Sequence, residues 1–197
     1  MLTLKFGGTS MGSARRILDS VEIMISRAKQ DRISVVVSAV AGVSNALQAA
    51  IDGCVTGTTP ATFVSGIRKT HEDICAELQS AVKGFNAKDV MSKIEPNFAE
   101  LEKLLAGVAS FGECPESIHC RIMGMGELCC VPMVNEVLLA KGQSVLLLDS
   151  RKYIFTTGVQ KEGDPDYGRI GTALAPYRDG AEPDQARILL FPGFICS

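Results

Sequence analysis

Ile33-Ser-Val-Val-Val37 is the stretch that most narrows the folds open to this chain. It is a nearly continuous β-branched run with no sustained polar alternation, the pattern of a strand covered on both faces, and strands of that kind sit in parallel sheets. The flanking sequence agrees. Ahead of it, Leu2-Thr-Leu-Lys-Phe6 alternates as a short strand, Gly7-Gly8 ends it, and an amphipathic helical run begins near Ser13 with Ile17, Leu18, Val21 and Ile25 on one face. After it, Ser38-Ala-Val-Ala-Gly-Val-Ser-Asn45 opens into a helix through Ala46, Leu47, Ala50 and Ile51. Strand, helix, strand, helix predicts an α/β fold with a mainly parallel sheet and ligands at the carboxyl ends of its strands. Lys5 to Ser10 and Ser38 to Asn45 then lie on one edge.

That edge is suited to anions. Gly7-Gly8 lets a phosphate approach the main chain without meeting a Cβ, a helix start offers unpaired N–H groups, and Lys5 supplies an ammonium. Such an arrangement works on phosphoryl groups by positioning and charge stabilisation. The same residues also describe a plain tight turn with an edge lysine, and the Ser38 to Asn45 loop also reads as a βα loop of small packing residues.

The 197 residues are 46% hydrophobic, enough for one substantial core, and carry a net charge of −2. The balance leaves no basic face for nucleic acid and no polybasic membrane anchor. No signal peptide is visible, and the apolar run from Ile33 to Val43 is too short to span a bilayer, so a cytoplasmic location is expected. The seven cysteines include no C-x-x-C pair; they read as reduced, mostly buried residues, and no metal site is expected from them.

Further along, Thr59 precedes Pro60 as an N-cap, and Phe63, Ile67, His71, Ile74 and Leu78 mark a helical face on which His71 reads as a packed residue. A second helical run carries Val90, Met91, Ile94, Phe98, Leu101, Leu105 and Val108, with Pro96 expected to bend or divide it. These make an antiparallel helical insertion over about 60–112, structural in role. Gly124 and Gly126 break the pattern just before Glu127, which places Glu127 at the first turn of a helix running to Lys141, kinked at Pro132. There Glu127 stabilises the helix, or receives a substrate ammonium. Ser144 to Asp149 is a buried strand with Asp149-Ser-Arg151 at its carboxyl end, 161–185 an exposed loop or hairpin, and Ala186 to Phe191 a last strand.

Lys5-Phe-Gly-Gly-Thr-Ser10, Val36-Val-Ser-Ala-Val-Ala-Gly-Val-Ser-Asn45, Gly126-Glu127, Leu148-Asp-Ser-Arg151 and Pro192-Gly-Phe-Ile195 fall in the order and spacing of aspartate kinases. The chain resembles that family, part of the amino-acid kinase superfamily, everywhere outside the helical insertion. The resemblance implies a three-layer α/β/α sandwich, incomplete at the carboxyl end, and a catalytic-domain portion spanning 1–197. It implies ATP and Mg2+, with L-aspartate converted to 4-phospho-L-aspartate on the way to lysine, threonine and methionine. Lys5 would steady the transferring phosphoryl group while Gly7, Gly8, Thr9 and Ser10 cradle phosphates. Ser38 and Ser44 would help hold aspartate, Glu127 would take its ammonium, and Phe194 would line its pocket.

Ser44 stands where the family commonly has threonine, and Cys129-Cys130 and Pro132 replace its usual small-residue helix. The family continues beyond this length into a glycine-rich segment, an adenine-binding half and ACT domains. The chain is therefore expected to be an aspartate kinase fragment without efficient catalysis, and the full-length parent to be a homo-oligomer. Two alternatives stay open: a superfamily kinase for acetylglutamate or glutamate, and a catalytically silent module that keeps the fold.

Overall fold

A computed structural model describes residues 1–158, 163–178 and 186–193. Four strands form one parallel sheet: β1 (Leu2–Phe6), β2 (Ile33–Val37), β6 (Ile188–Pro192) and β3 (Val145–Leu147), side by side in that order. Phe6, Val37 and Pro192 are aligned across the first three strands, so those strands end at one level. β2 is central and buried almost throughout, which is why its sequence shows no solvent-facing side.

One face of the sheet contributes Phe6, Ile33, Val35, Val37, Ile188 and Leu190 to the main core. Helices α1 (Ala14–Ala28) and α5 (Glu116–Ala140) pack on that face. Outside them lie α2 (Val43–Val55) and a hairpin of two long helices, α3 (Pro60–Ala81) and α4 (Ala87–Phe111). The opposite face is covered by a smaller cluster of Leu148, Leu189 and Phe191, packed against Val36, Leu146, Tyr153, Leu174 and Tyr177. Leu174 and Tyr177 belong to α6 (Tyr167–Arg178). The sheet therefore separates two helical layers, as the α/β/α expectation requires.

At the amino ends of the strands, arginines fasten the sheet to its connections. Arg32 Nε donates to Ala186 O at 2.9 Å, and Arg187 Nε and Nη2 both donate to Ala28 O. These bonds fix the end of the sheet opposite the loops that follow β1, β2 and β6.

Several local expectations change. α4 continues through Pro96 and α5 through Pro132, without division. The first glycines lead into a short 3-10 turn over Gly8–Met11, and α1 starts only at Ala14, with Ser13 Oγ accepting the Arg16 N–H at 3.3 Å. Within 161–185, read as an exposed loop or hairpin, β5 (Asp164–Pro165) pairs antiparallel with β4 (Thr156–Thr157) just before it, and the unexpected element is the helix α6. Gly168, Gly171 and Pro176 hid that helix, since each is a poor helix former in isolation. Residues 159–162 and 179–185 of the same region lie outside the described part.

α5 is long and apolar enough to cross a membrane by length and composition, but two-thirds of its apolar window is buried inside the protein, as in a core helix. Gly124 and Gly126 interrupt its apolar run in the sequence.

Candidate functional site

The loops after β1, β2 and β6 form one continuous edge. Ser38 N–H donates to Phe6 O at 3.0 Å and Gly193 N–H to Val37 O at 2.8 Å, extending both ladders by one step. Parallel strands lie about 4.8 Å apart, so Gly7, Ser38 and Gly193 span about 10 Å of edge. Ser150, buried at 2% exposure, donates from Oγ to Pro192 O at 2.6 Å and fixes the exit of β6. Ser150 belongs to the Leu148-Asp-Ser-Arg151 motif at the carboxyl end of the strand before it. Asp149 is engaged within its own turn, where the Arg151 guanidinium holds its carboxyl below the usual range.

Glycines bring the parts close. A Cβ on Gly8 would lie 3.3 Å from Ala39 O, and one on Gly12 2.9 Å from Ala41 Cβ, so the first turn rests against the 38–42 loop. Gly42 adopts φ +83, a left-handed conformation that favours glycine, and caps α2 without a side-chain bond. The N–H groups of α2's first turn therefore open beside Ser44, which is exposed.

Lys5 alternates with Leu4 and Phe6, which face the main core, so it emerges on the face opposite α5. Its side chain runs along the strand to the same edge: Nζ lies 3.9 Å from where a Gly7 Cβ would be. Thr9 is exposed, and Ser10 is half-buried with its N–H donated to Gly7 O at 2.9 Å.

Glu127 approaches from the other side. It sits in the middle of α5, contrary to the expected first turn, because Gly124 and Gly126 do not interrupt the helix. Burial against the core offsets the roughly 1 kcal/mol that each glycine costs a helix. Gly126 serves close packing, since a Cβ there would fall 2.7 Å from Ala39 Cβ. The carboxylate is thus not a helix-dipole partner. It is buried at 6% exposure, and Oε1 lies 3.5 Å from the position of a Gly193 Cβ. Lys5 and Glu127 therefore reach one edge from opposite faces of the sheet. Phe194, next after Gly193, lies outside the described residues.

The remaining candidates stay apart from this edge. His71 is fully buried between α3 and α4, as the sequence suggested, with Nδ1 at 2.8 Å from Ile67 O and its ring T-shaped to that of Phe98. Burial pushes the Cys75 and Cys129 thiols up to about 12, so neither serves as a nucleophile at neutral pH. Among the described residues no group of three or more His, Cys, Asp or Glu side chains is placed to hold a metal.

No protein-family model matches the chain. It is 26% identical over 158 residues to the bifunctional aspartokinase/homoserine dehydrogenase of Buchnera aphidicola, covering 80% of this chain and 19% of that protein. It is 24% identical over 194 residues to the chloroplastic bifunctional aspartokinase/homoserine dehydrogenase 2 of Arabidopsis thaliana, covering 98% and 20%. The chain thus spans about a fifth of the length of these relatives. Among solved structures, E. coli aspartokinase III in complex with aspartate and ADP matches the whole chain and 41% of its own, with a TM-score of 0.82 at 23% identity. The chain is therefore similar in sequence to aspartokinases across most of its length, and its fold is the one that an aspartokinase adopts over the matching part.

Proposed function

We propose that this chain forms the phosphate- and aspartate-binding edge of an aspartate kinase, which transfers the γ-phosphoryl group of ATP to the side-chain carboxylate of L-aspartate. The observation that carries the reading is the placing of the Lys5 amine beside Gly7 and of the buried Glu127 carboxylate beside Gly193, at the same end of one parallel sheet but from its two faces. The solved relative with aspartate and ADP has the same fold, which supports the choice of substrates.

The Gly7-Gly8 segment, with Thr9 and Ser10, cradles the nucleotide phosphates, and Lys5 neutralises charge on the group in transfer. Glu127 accepts the substrate ammonium, Ser38 and Ser44 hold the amino acid, and Phe194 lines its pocket. One carboxylate oxygen bonds to the γ-phosphorus while the bond to the bridging oxygen breaks and ADP leaves with its electron pair. The attacking group is already an anion, so no general base is needed, and the work of the site is to offset like charge. Mg2+ fits this edge only as a partner of the phosphates, since the described side chains offer no cage for it. The remaining assignments belong to the same reading: a catalytic-domain segment over 1–197, cytoplasmic action, a homo-oligomeric parent, and entry into lysine and threonine synthesis.

The test is ADP release by the protein that carries this chain, supplied with MgATP and candidate acids. Turnover is expected with L-aspartate, and Glu127→Gln is expected to raise KM for aspartate about 10–100-fold, the worth of a charge-assisted bond. Faster turnover of glutamate or acetylglutamate would point to a sister carboxylate kinase. Absence of nucleotide binding would leave a catalytically silent module.

A further inference from the structure

Pro132 sits inside α5 and has no N–H, so the carbonyl four residues earlier, that of Leu128, loses its helical donor. A side chain from another helix supplies one: Asn97 Nδ2 of α4 donates to Leu128 O at 3.2 Å. Pro96 makes the same demand on the carbonyl of Ser92, but both residues are exposed, where water meets it. Leu128 has less access to water, because it is half-buried and packed against the main core. It also follows Glu127 directly in the chain.

On its other side this turn of α5 meets the 38–42 loop and the start of α2, with Gly126 close to Ala39, Val43 and Leu47. Residues 126–128 are therefore held between the loop that lines the edge and the Asn97 amide of the helical hairpin. We propose that Asn97 is a positioning residue for Glu127: by replacing the hydrogen bond that Pro132 removes, it fixes the turn of α5 that aims the carboxylate at the sheet edge. The α3–α4 hairpin thereby acts on the site through one side chain. The effect on aspartate rests on the function proposed above, whereas the placing of Glu127 does not.

Pro132→Ala restores the missing N–H and makes Asn97 dispensable, so the two positions are tested as a pair. In protein labelled with 13C at glutamate carboxyls, the Glu127 resonance is assigned by its loss in Glu127→Gln. Asn97→Leu is expected to shift that resonance and to weaken aspartate binding about tenfold, with ADP affinity changed less than twofold. Pro132→Ala alone leaves both in place, and Asn97→Leu in the Pro132→Ala background is silent. An unmoved resonance, an equal loss in the Pro132→Ala background, or a parallel loss of aspartate and ADP affinity would each overturn the proposal. A resonance that shifts and is restored in the pair, in a protein that binds no aspartate, supports the positioning role and removes the substrate reading.

Discussion

Lys5 offers the cleanest separation of chemistry from stability, because it is exposed on β1 and no ion pair involves it among the described residues. Lys5→Ala is expected to lower kcat by at least about 100-fold, the usual loss on removing one transition-state charge partner, with the melting temperature nearly unchanged. Steady-state ADP release and a thermal melt on the same preparation decide it, and unchanged turnover would remove Lys5 from the chemistry. Gly126 behaves oppositely. Alanine is a better helix former by about 1 kcal/mol, but its Cβ would fall 2.7 Å from Ala39 Cβ, and overpacking of that kind costs about 1–3 kcal/mol. Gly126→Ala is therefore expected to be neutral to destabilising in denaturant titration, and to weaken aspartate binding by pushing α5 off the 38–42 loop. The glycine pair and Lys5 were legible in sequence because strand alternation and a turn are local signals. The setting of Glu127 was not, since a glycine that breaks an isolated helix is indistinguishable in sequence from one that admits a neighbouring loop.

Among the elements, the α3–α4 hairpin is joined by Phe98, which is fully buried. Its ring lies T-shaped to the His71 ring, with centroids 5.7 Å apart, and the Arg68 guanidinium stands 4.7 Å from its centroid, while Arg68 also pairs with Glu95. Phe98→Ala removes both ring contacts and leaves a cavity, for a loss of about 3–5 kcal/mol in chemical denaturation. A loss under about 1 kcal/mol would mean that the hairpin does not share the main core. The faces of these helices were readable from the spacing of Ile67, His71 and Ile74 and of Ile94, Phe98 and Leu101, and so were β1, β2 and α1. Their continuity was not. Pro96 and Pro132 carry the sequence signature of a break, and what cancels it at Pro132 is a hydrogen bond from a residue 31 positions away from Leu128. α6 escaped for a related reason, because its support comes from Leu189, Phe191 and Tyr153 across the second face of the sheet.

At the scale of the molecule, His71 links folding to pH. Its Nδ1 carries the proton given to Ile67 O, and Nε2 has no hydrogen-bond partner among the described residues. Burial holds the imidazole below its ordinary value, outweighing the opposing pull of the Ile67 carbonyl. The folded chain therefore keeps His71 neutral while the unfolded chain takes a proton near pH 6.5, so stability is full above that pH and declines below it. One such group gives a slope of up to about 1.4 kcal/mol per pH unit, and at this chain length each kcal/mol moves the melting temperature by about 2–4 °C. The carboxylates of Asp149 and Glu95, depressed by Arg151 and Arg68, add their own loss only in the more acidic range below about pH 4. Melts between pH 7.5 and 5.0 are thus expected to show a fall for the native chain and a flatter profile for His71→Leu. An equal slope in the variant would place the acid sensitivity elsewhere, and a native chain indifferent to pH across that window would mean that His71 takes a proton as readily in the folded chain as in the unfolded one.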